Sequence, residues 1–145
     1  FIINQNKYNI LDRTIETNGL KDMADKLGKG VICFCPLAHG LLTDRYLNGI
    51  PEDSRVRTDG RFLDKAKVEQ DISKVRELKK LADKRGQSLA EMALAWLLKD
   101  EAITSVLIGA SKAEQLLTNI RAINSPGFSA EELKLIDEIA LNHNH

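Results

Sequence analysis

Three short apolar stretches, separated by segments with helical periodicity, limit the fold of this chain more than any other feature. They cover residues 1–5, 30–36 and 105–110, and each has the length of a β-strand. We expect the first two to be buried, the second on both faces. The helical segments between and after them give the order β-α-β-α-α-β-α-α, which predicts parallel strands joined by helical crossovers.

Capping signals predict where several helices begin. Serine stands three residues before glutamate in SLAE, SKAE and SAEE, the pattern of a capping box. These serines are Ser88, Ser111 and Ser129. Helical spacing of apolar residues also predicts helices over residues 19–28 and 68–85, each followed by a glycine suited to a C-terminal cap. Residues 37–64 show no periodicity, and a loop of that length is usually functional.

The predicted apolar positions follow a 3.6-residue period in each helix. The helix predicted over residues 68–85 has Ile72, Val75, Leu78, Leu81 and Ala82. The helix over residues 19–28 has Leu20, Met23, Ala24 and Leu27. The helix after Ser111 has Leu116, Leu117, Ile120 and Ile123.

Three parallel strands are too few for a stable sheet, because both outer strands would present unpaired apolar edges. They fit a doubly wound sheet or a (β/α)₈ barrel, and a complete barrel needs about 250 residues. The chain has 145 residues and begins inside an apolar run with no methionine before it. We interpret it as the later part of something larger.

Composition narrows the function classes. The 21 basic and 21 acidic side chains cancel, which argues against nucleic-acid or membrane-surface binding. No apolar run approaches the roughly 18 residues of a spanning helix, and no signal peptide is recognised. Cys33 and Cys35 would lie about 7 Å apart on one strand, too far for an easy disulfide. This predicts reduced, buried thiols in a cytoplasmic protein.

Ligands of parallel α/β folds bind at the carboxyl ends of the strands. At the third strand, Gly109 and Ser111 precede a helix whose first amides and dipole favour an anion such as phosphate. The alternative is that Ser111 only caps its helix. Phe34, at the end of the second strand, either stacks on a flat ligand ring or fills core.

Other polar residues give weaker signals. His39 could titrate near neutrality, but no Asp or Ser forms a relay with it, and a loop histidine without a catalytic role is favoured. The arginines of the long loop are either solvated or form a phosphate clamp. Three scattered histidines and two neighbouring thiols do not predict a metal site. The histidines are His39, His143 and His145.

Two stretches resemble the aldo-keto reductases, in particular the branch of bacterial L-glyceraldehyde-3-phosphate reductases and potassium-channel β subunits. They are CPLAHGLLTDRYLNGIPEDSR (residues 35–55) and VLIGASKAEQLLTNI (residues 106–120). The resemblance implies that residues 1–145 form the C-terminal portion, about strands 6–8 with their helices, of a (β/α)₈ TIM barrel. It also implies NADP(H) as cofactor, bound across the strand ends, with residues 37–64 as a loop covering it.

The resemblance carries a set of cofactor contacts onto this chain. Gln5 would hold the nicotinamide carboxamide, Phe34 would stack on the nicotinamide, and Ser111 would bind the adenosine 2′-phosphate. The full set is Gln5, Phe34, Cys35, Pro36, Leu37, Gly40, Arg45, Arg55, Gly109, Ser111, Gln115 and Asn119. Three positions depart from the family pattern, with alanine in place of lysine, threonine in place of glutamate and aspartate in place of glycine. They are Ala110, Thr118 and Asp44.

The family's catalytic Asp, Tyr, Lys and His lie on earlier strands, so the resemblance implies no catalytic residue here. Tyr8, Tyr46 and His39 do not occupy those positions. We therefore expect the NADP(H)-binding half of a reductase acting on small aldehydes or ketones, inactive alone. Its expected partner is the missing N-terminal half of the barrel, or a second copy. The alternatives are an NADPH-sensing regulatory subunit, or a truncated fragment without activity.

Overall fold

A three-stranded parallel sheet forms the centre of the structure. The structure is a computed structural model that describes residues 1–49 and 65–141. The strands lie in the order β1 (Ile3–Lys7), β2 (Gly30–Phe34) and β3 (Ser105–Val106), and both pairings are parallel. The predicted alternation of strands and crossover helices is confirmed.

Helices follow each strand. Their bounds are α1 (Thr14–Thr17), α2 (Leu20–Lys26), α3 (Lys65–Lys84), α4 (Leu89–Leu97), α5 (Ala113–Ile120) and α6 (Ala130–Leu141). Short 3₁₀ turns cover Ala38–Gly40, Asp44–Tyr46 and Arg121–Asn124. The α1 turn was not predicted, because four residues are too few for a periodic apolar pattern to show.

The helices cover only one face of the sheet. Val31 and Cys33 of β2 are fully buried, whereas Phe34, on the opposite face, is 37% exposed. The prediction that this strand is buried on both faces is therefore wrong. The first strand was predicted as buried over residues 1–5, but it begins at Ile3, and Phe1 is 75% exposed. No further layer covers that face within the described residues.

The third strand is shorter than predicted. The amide of Leu107 still donates to the carbonyl of Cys33 (2.8 Å), but the ladder ends at Val106 rather than continuing to residue 110. The chain then turns away toward α5. The prediction of two buried thiols is half right. Both cysteines are free, but Cys35 is only partly buried because it lies beyond the end of β2.

The α3 stripe packs as predicted, and all five of its apolar residues are buried. In α2 only Ala24 is buried, while Met23 is 56% exposed and Leu27, the residue after the helix, is 57% exposed. This helix is short and meets the sheet along a single side. The apolar residues predicted after Ser111 are also exposed, so α5 presents an apolar face to solvent in this chain.

Trp96 lies at the centre of the core between two cationic side chains. Its indole is 1% exposed. The guanidinium carbon of Arg13 lies 4.1 Å from the ring centroid, and Nζ of Lys99 lies 3.7 Å from it. The Tyr8 ring packs 5.3 Å away at a tilt of 53°. Burial lowers the pKa of Lys99, since a desolvated ammonium is disfavoured.

Two of the three predicted capping boxes are confirmed at their serines. Ser88 Oγ accepts from the amide of Glu91 (3.1 Å), and Ser129 Oγ accepts from the amide of Glu132 (3.1 Å). Glu132 returns a bond by accepting from the Ser129 amide (2.9 Å). The third prediction is wrong. The N-cap of α5 is Lys112, with no side-chain cap, because Ser111 is engaged by Gln115 instead.

The two unlike serines give a matched stability test. We expect Ser129→Ala to lower the free energy of unfolding by about 1 kcal/mol, since it removes a helix cap. Ser111→Ala should change it by less than about 0.5 kcal/mol, as exposed substitutions away from such features do. Urea denaturation followed by circular dichroism measures both. Equal losses in the two variants would contradict the assigned caps.

Candidate binding cleft

A cleft of about 1040 Å³ separates the loop after β2 from the start of α5. One wall comes from residues that follow β2, and the other from residues that follow β3. The lining includes Cys35, Pro36, Leu37, His39, Gly40, Thr43, Asp44, Arg45, Tyr46, Gly109, Glu114, Gln115, Thr118 and Asn119. The carboxyl ends of neighbouring parallel strands thus create the cleft, as is usual for α/β folds.

The first wall has an unusual backbone. Cys35, Ala38 and His39 all have positive φ angles, of 51°, 51° and 57°, a region that costs energy for residues with a side chain. Buried Asn9 fixes this conformation by donating from Nδ2 to the Cys35 carbonyl (2.9 Å). Backbone strain held by its surroundings in this way is concentrated at functional sites.

Helix α3 holds the far part of the same wall. Nε of Arg76 donates to the Leu47 carbonyl (2.8 Å), and Nζ of Lys79 lies 3.7 Å from a carboxylate oxygen of Asp44. A hydrogen bond to Asp83, with Asp44 adding to it, raises the pKa of Lys79. The carboxylate of Asp44, which departs from the family pattern, therefore has a cationic partner.

The second wall is the turn from β3 into α5. Oε1 of Gln115 accepts from both the amide and the hydroxyl of Ser111, each at 3.1 Å. This pair of bonds holds the turn beside the cleft. Asn119 on the same helix is buried, and a Cβ added at Gly109 would meet nothing within 4 Å.

Most of the predicted contact residues meet in this cleft. Those lining it are Cys35, Pro36, Leu37, Gly40, Arg45, Gly109, Gln115 and Asn119. Ser111 is exposed at its edge and contacts the lining through Gln115. Arg55 lies outside the described residues, as do residues 50–64 of the predicted covering loop.

Gln5 and Phe34 lie apart from the cleft lining, on the uncovered face of the sheet. Gln5 pairs with Ile32, and Lys7 pairs with Phe34, so both predicted residues belong to the same side of the pleat. Both are exposed. Phe34 directly precedes Cys35, so this face continues into the cleft along the chain.

Sequence reasoning missed several lining residues. The predicted set of cofactor contacts lacks the lining residues Thr43, Tyr46 and Glu114. It also lacks Lys79, which contacts Asp44 of the lining. Thr43 Oγ1 donates to the Gly40 carbonyl (2.6 Å), and buried Tyr46 lies 3.6 Å from where a Cβ of Gly40 would stand. The sequence signal for this turn was a threonine three positions after Gly40 and a tyrosine three positions after that threonine.

The donor set suits an anionic ligand more than a metal ion. Several groups here are of a type that donates to phosphate oxygens. They are backbone amides, the Ser111 hydroxyl, the side-chain amides of Gln115 and Asn119, and the Arg45 guanidinium. Asp44 and Glu114 oppose them, although Lys79 partly offsets Asp44. Within residues 1–49 and 65–141, no three His, Cys, Asp or Glu side chains are grouped to hold a metal.

Comparisons with known proteins agree on one family. The sequence model described as Aldo/keto reductase family matches residues 1–141. The L-glyceraldehyde 3-phosphate reductases of Escherichia coli O157:H7 and strain K12 are 50% and 49% identical over 141 residues, 94% of this chain. A potassium-channel β-subunit homologue of Schizosaccharomyces pombe is 34% identical over 143 residues, 95% of this chain and 42% of its own length.

Solved structures match over nearly the whole chain. The aldo-keto reductase AKR11C1 from Bacillus halodurans, a holo form, has a TM-score of 0.71 at 25% identity and covers 97% of this chain. The thermostable aldo-keto reductase Tm1743, solved with the inhibitor epalrestat, has 0.69 at 26% and covers 96%. This chain spans 41% of the two bacterial reductases and 43% and 40% of these structures. The fold is therefore part of a TIM barrel. Within the described ranges no helix is long and apolar enough to cross a membrane.

Proposed function

Because the chain belongs to the aldo-keto reductase family, we propose that it forms the NADP(H)-binding part of a reductase that converts small aldehydes or ketones to alcohols. The single observation that carries this proposal is the cleft, where two loops from neighbouring strand ends bring together phosphate donors and amide side chains. The 50% identity to a bacterial L-glyceraldehyde 3-phosphate reductase supports the reductase activity.

Each part of the cofactor has residues suited to it. Gln115 and Asn119 offer amide groups to the adenosine. The exposed Ser111 hydroxyl, which donates to Gln115 in this structure, would turn to donate to the 2′-phosphate instead. Lys112, the N-cap of α5, adds a positive charge in place of the lysine that Ala110 replaces. A dinucleotide phosphate needs both hydrogen-bond donors and cations.

The pyrophosphate and nicotinamide would extend across the other wall. Gly40 and Arg45 line the cleft where the pyrophosphate would pass, and Arg55 is proposed to assist from the covering loop. Phe34 and Gln5, on the uncovered face of the sheet, would contact the nicotinamide ring and its carboxamide. Bound there, the cofactor would supply a hydride to the carbonyl carbon, and these side chains would bind and orient it.

The proton that completes the reduction needs a general acid, which we place outside this chain. Tyr8 is buried, its hydroxyl bonds to Glu16, and burial raises its pKa, so it is unsuited to that role. Tyr46 lines the cleft but is only 2% exposed. We propose that the chain alone does not reduce aldehydes and that the remainder of the barrel supplies the catalytic groups.

The uncovered sheet face supports this division. Ile3 of β1, Phe34 of β2 and Leu107, which directly follows β3, expose apolar surface, and the apolar side of α5 is also exposed. Faces of this kind are covered in stable proteins. We propose that the further strands and helices of a barrel pack there, and that without them a second copy of this chain covers the surface.

The relative from Schizosaccharomyces pombe favours a second candidate function. Its match at 34% identity covers 95% of this chain, against 94% for the reductase match, and the cleft residues would serve cofactor binding in either case. In this alternative, NADPH binding would regulate a partner protein. Turnover of a small aldehyde by the complete barrel separates the two functions, since a sensor requires binding without rapid turnover.

Nuclear magnetic resonance tests where the cofactor binds. On addition of NADPH to the isotopically labelled chain, we expect backbone amide shifts concentrated at Gly40, Gly109 and Gln115. Amides of α6, none of whose residues lines the cleft, should remain unchanged. Shifts confined to residues outside the cleft and the uncovered sheet face would contradict the proposed site.

A further inference from the structure

A thiol and an imidazole meet in the strained wall of the cleft. Sγ of Cys35 lies 3.8 Å from Nε2 of His39, and both side chains line the cleft. Their positive φ angles bring the two side chains together across four residues. A nucleophile within reach of a base, at an accessible position, is the arrangement that activates cysteine.

The second thiol of the chain shows the contrast. Cys33 is fully buried on the helix-covered face of β2. Burial raises its pKa to about 11, because a thiolate is disfavoured in an apolar environment. The two cysteines are two residues apart and differ in exposure and in the presence of an imidazole. Cys33 is therefore an internal control for reactivity.

We propose that Cys35 is a modification site at which His39 acts as the base and a small disulfide, such as oxidised glutathione, is the co-reactant. The imidazole takes the thiol proton, and the Cys35 sulfur attacks one sulfur of the disulfide. The disulfide bond breaks, and the released thiolate takes the proton from His39. Cys35 is oxidised to a mixed disulfide, and one glutathione is released as the reduced thiol.

The adduct would occupy the cleft. A tripeptide attached at Cys35 fills space along the wall that Leu37, Gly40 and Arg45 share. If this cleft binds NADP(H), as proposed above, the adduct excludes the cofactor, and reducing the mixed disulfide restores binding. This consequence rests on the proposed function, whereas the reactivity of Cys35 does not.

The test is incubation of the complete 145-residue chain with oxidised glutathione, followed by intact mass and peptide mapping. We expect one glutathione per chain, located at Cys35 and removed by dithiothreitol, while Cys33 stays unmodified. In the variant His39→Asn the rate at Cys35 should fall at least about fivefold. Asparagine tolerates the left-handed backbone of this position, so circular dichroism should remain unchanged.

Two controls complete the design. Cys33→Ala should leave the rate at Cys35 unchanged, and Cys35→Ser should abolish the adduct. A rate at Cys35 that His39→Asn does not alter, or modification of Cys33 at the same rate, would overturn the proposal. Protection of Cys35 by NADPH tests the cofactor site separately, because the reaction without nucleotide is measured first.

Discussion

Trp96→Ala should lower the free energy of unfolding by about 4 kcal/mol, since removal of a buried aromatic ring leaves a cavity in the core. The loss is large because the indole also contacts two cations. Arg13 Nη2 and Lys99 Nζ are buried and have no hydrogen-bond acceptor among the described residues. Each side chain does have an ion pair: Arg13 Nη1 lies 3.0 Å from Asp137, and Lys99 Nζ lies 3.6 Å from Asp100. Without the indole ring, both cations lose their cation–π contact with its face.

Trp96→Phe is the matched variant. It keeps an aromatic face for the two cations and leaves a smaller cavity, so we expect a loss of about 1–2 kcal/mol. Urea denaturation followed by far-ultraviolet circular dichroism suits both variants, since Trp96 is the only tryptophan. If Trp96→Phe were as damaging as Trp96→Ala, the ring contacts would not stabilise the core as described.

Gly109→Trp should reduce NADPH affinity by about 100-fold, equivalent to roughly 2.7 kcal/mol. Gly109 lines the cleft, and a Cβ there meets nothing within 4 Å. The added ring can therefore enter open space without disturbing the fold, and it competes with a ligand for the volume of the cleft. Isothermal titration calorimetry gives the affinity, and thermal denaturation checks that the variant stays folded.

Gly127→Trp is the control for that substitution. A Cβ at Gly127 also meets nothing within 4 Å, but this glycine precedes α6 and does not line the cleft. We expect wild-type affinity from it. An equal loss in the two variants would mean that added bulk, rather than the position in the cleft, affects binding.

Local sequence signals predicted the elements whose contacts are close along the chain. The apolar spacing of α3 matched its buried side, and the serines of α4 and α6 cap them as predicted. The same signal failed at Ser111, where Gln115, four residues later, engages the serine. A capping pattern does not show whether a serine hydroxyl will accept from a helix amide or donate to a nearby side chain.

Contacts between distant parts of the chain could not be predicted. Asn9 fixes the backbone of Cys35 from 26 residues away, and nothing in either stretch alone indicates the positive φ angles that result. Burial of Met23 or Phe34 depends on which surfaces the rest of the fold covers, and here one sheet face is uncovered. The resemblance predicted many of the cleft residues. That they lie together in one cleft depends on the packing of the ends of β2 and β3 side by side.

The central claim is that this cleft binds NADP(H), and calorimetric titration of the 145-residue chain with NADPH, in parallel with NADH, tests it most directly. We predict binding of NADPH at least about tenfold tighter than that of NADH, since one charge-assisted hydrogen bond to the 2′-phosphate contributes about 1.5–3 kcal/mol. A folded sample that binds neither nucleotide, or both equally, would contradict it.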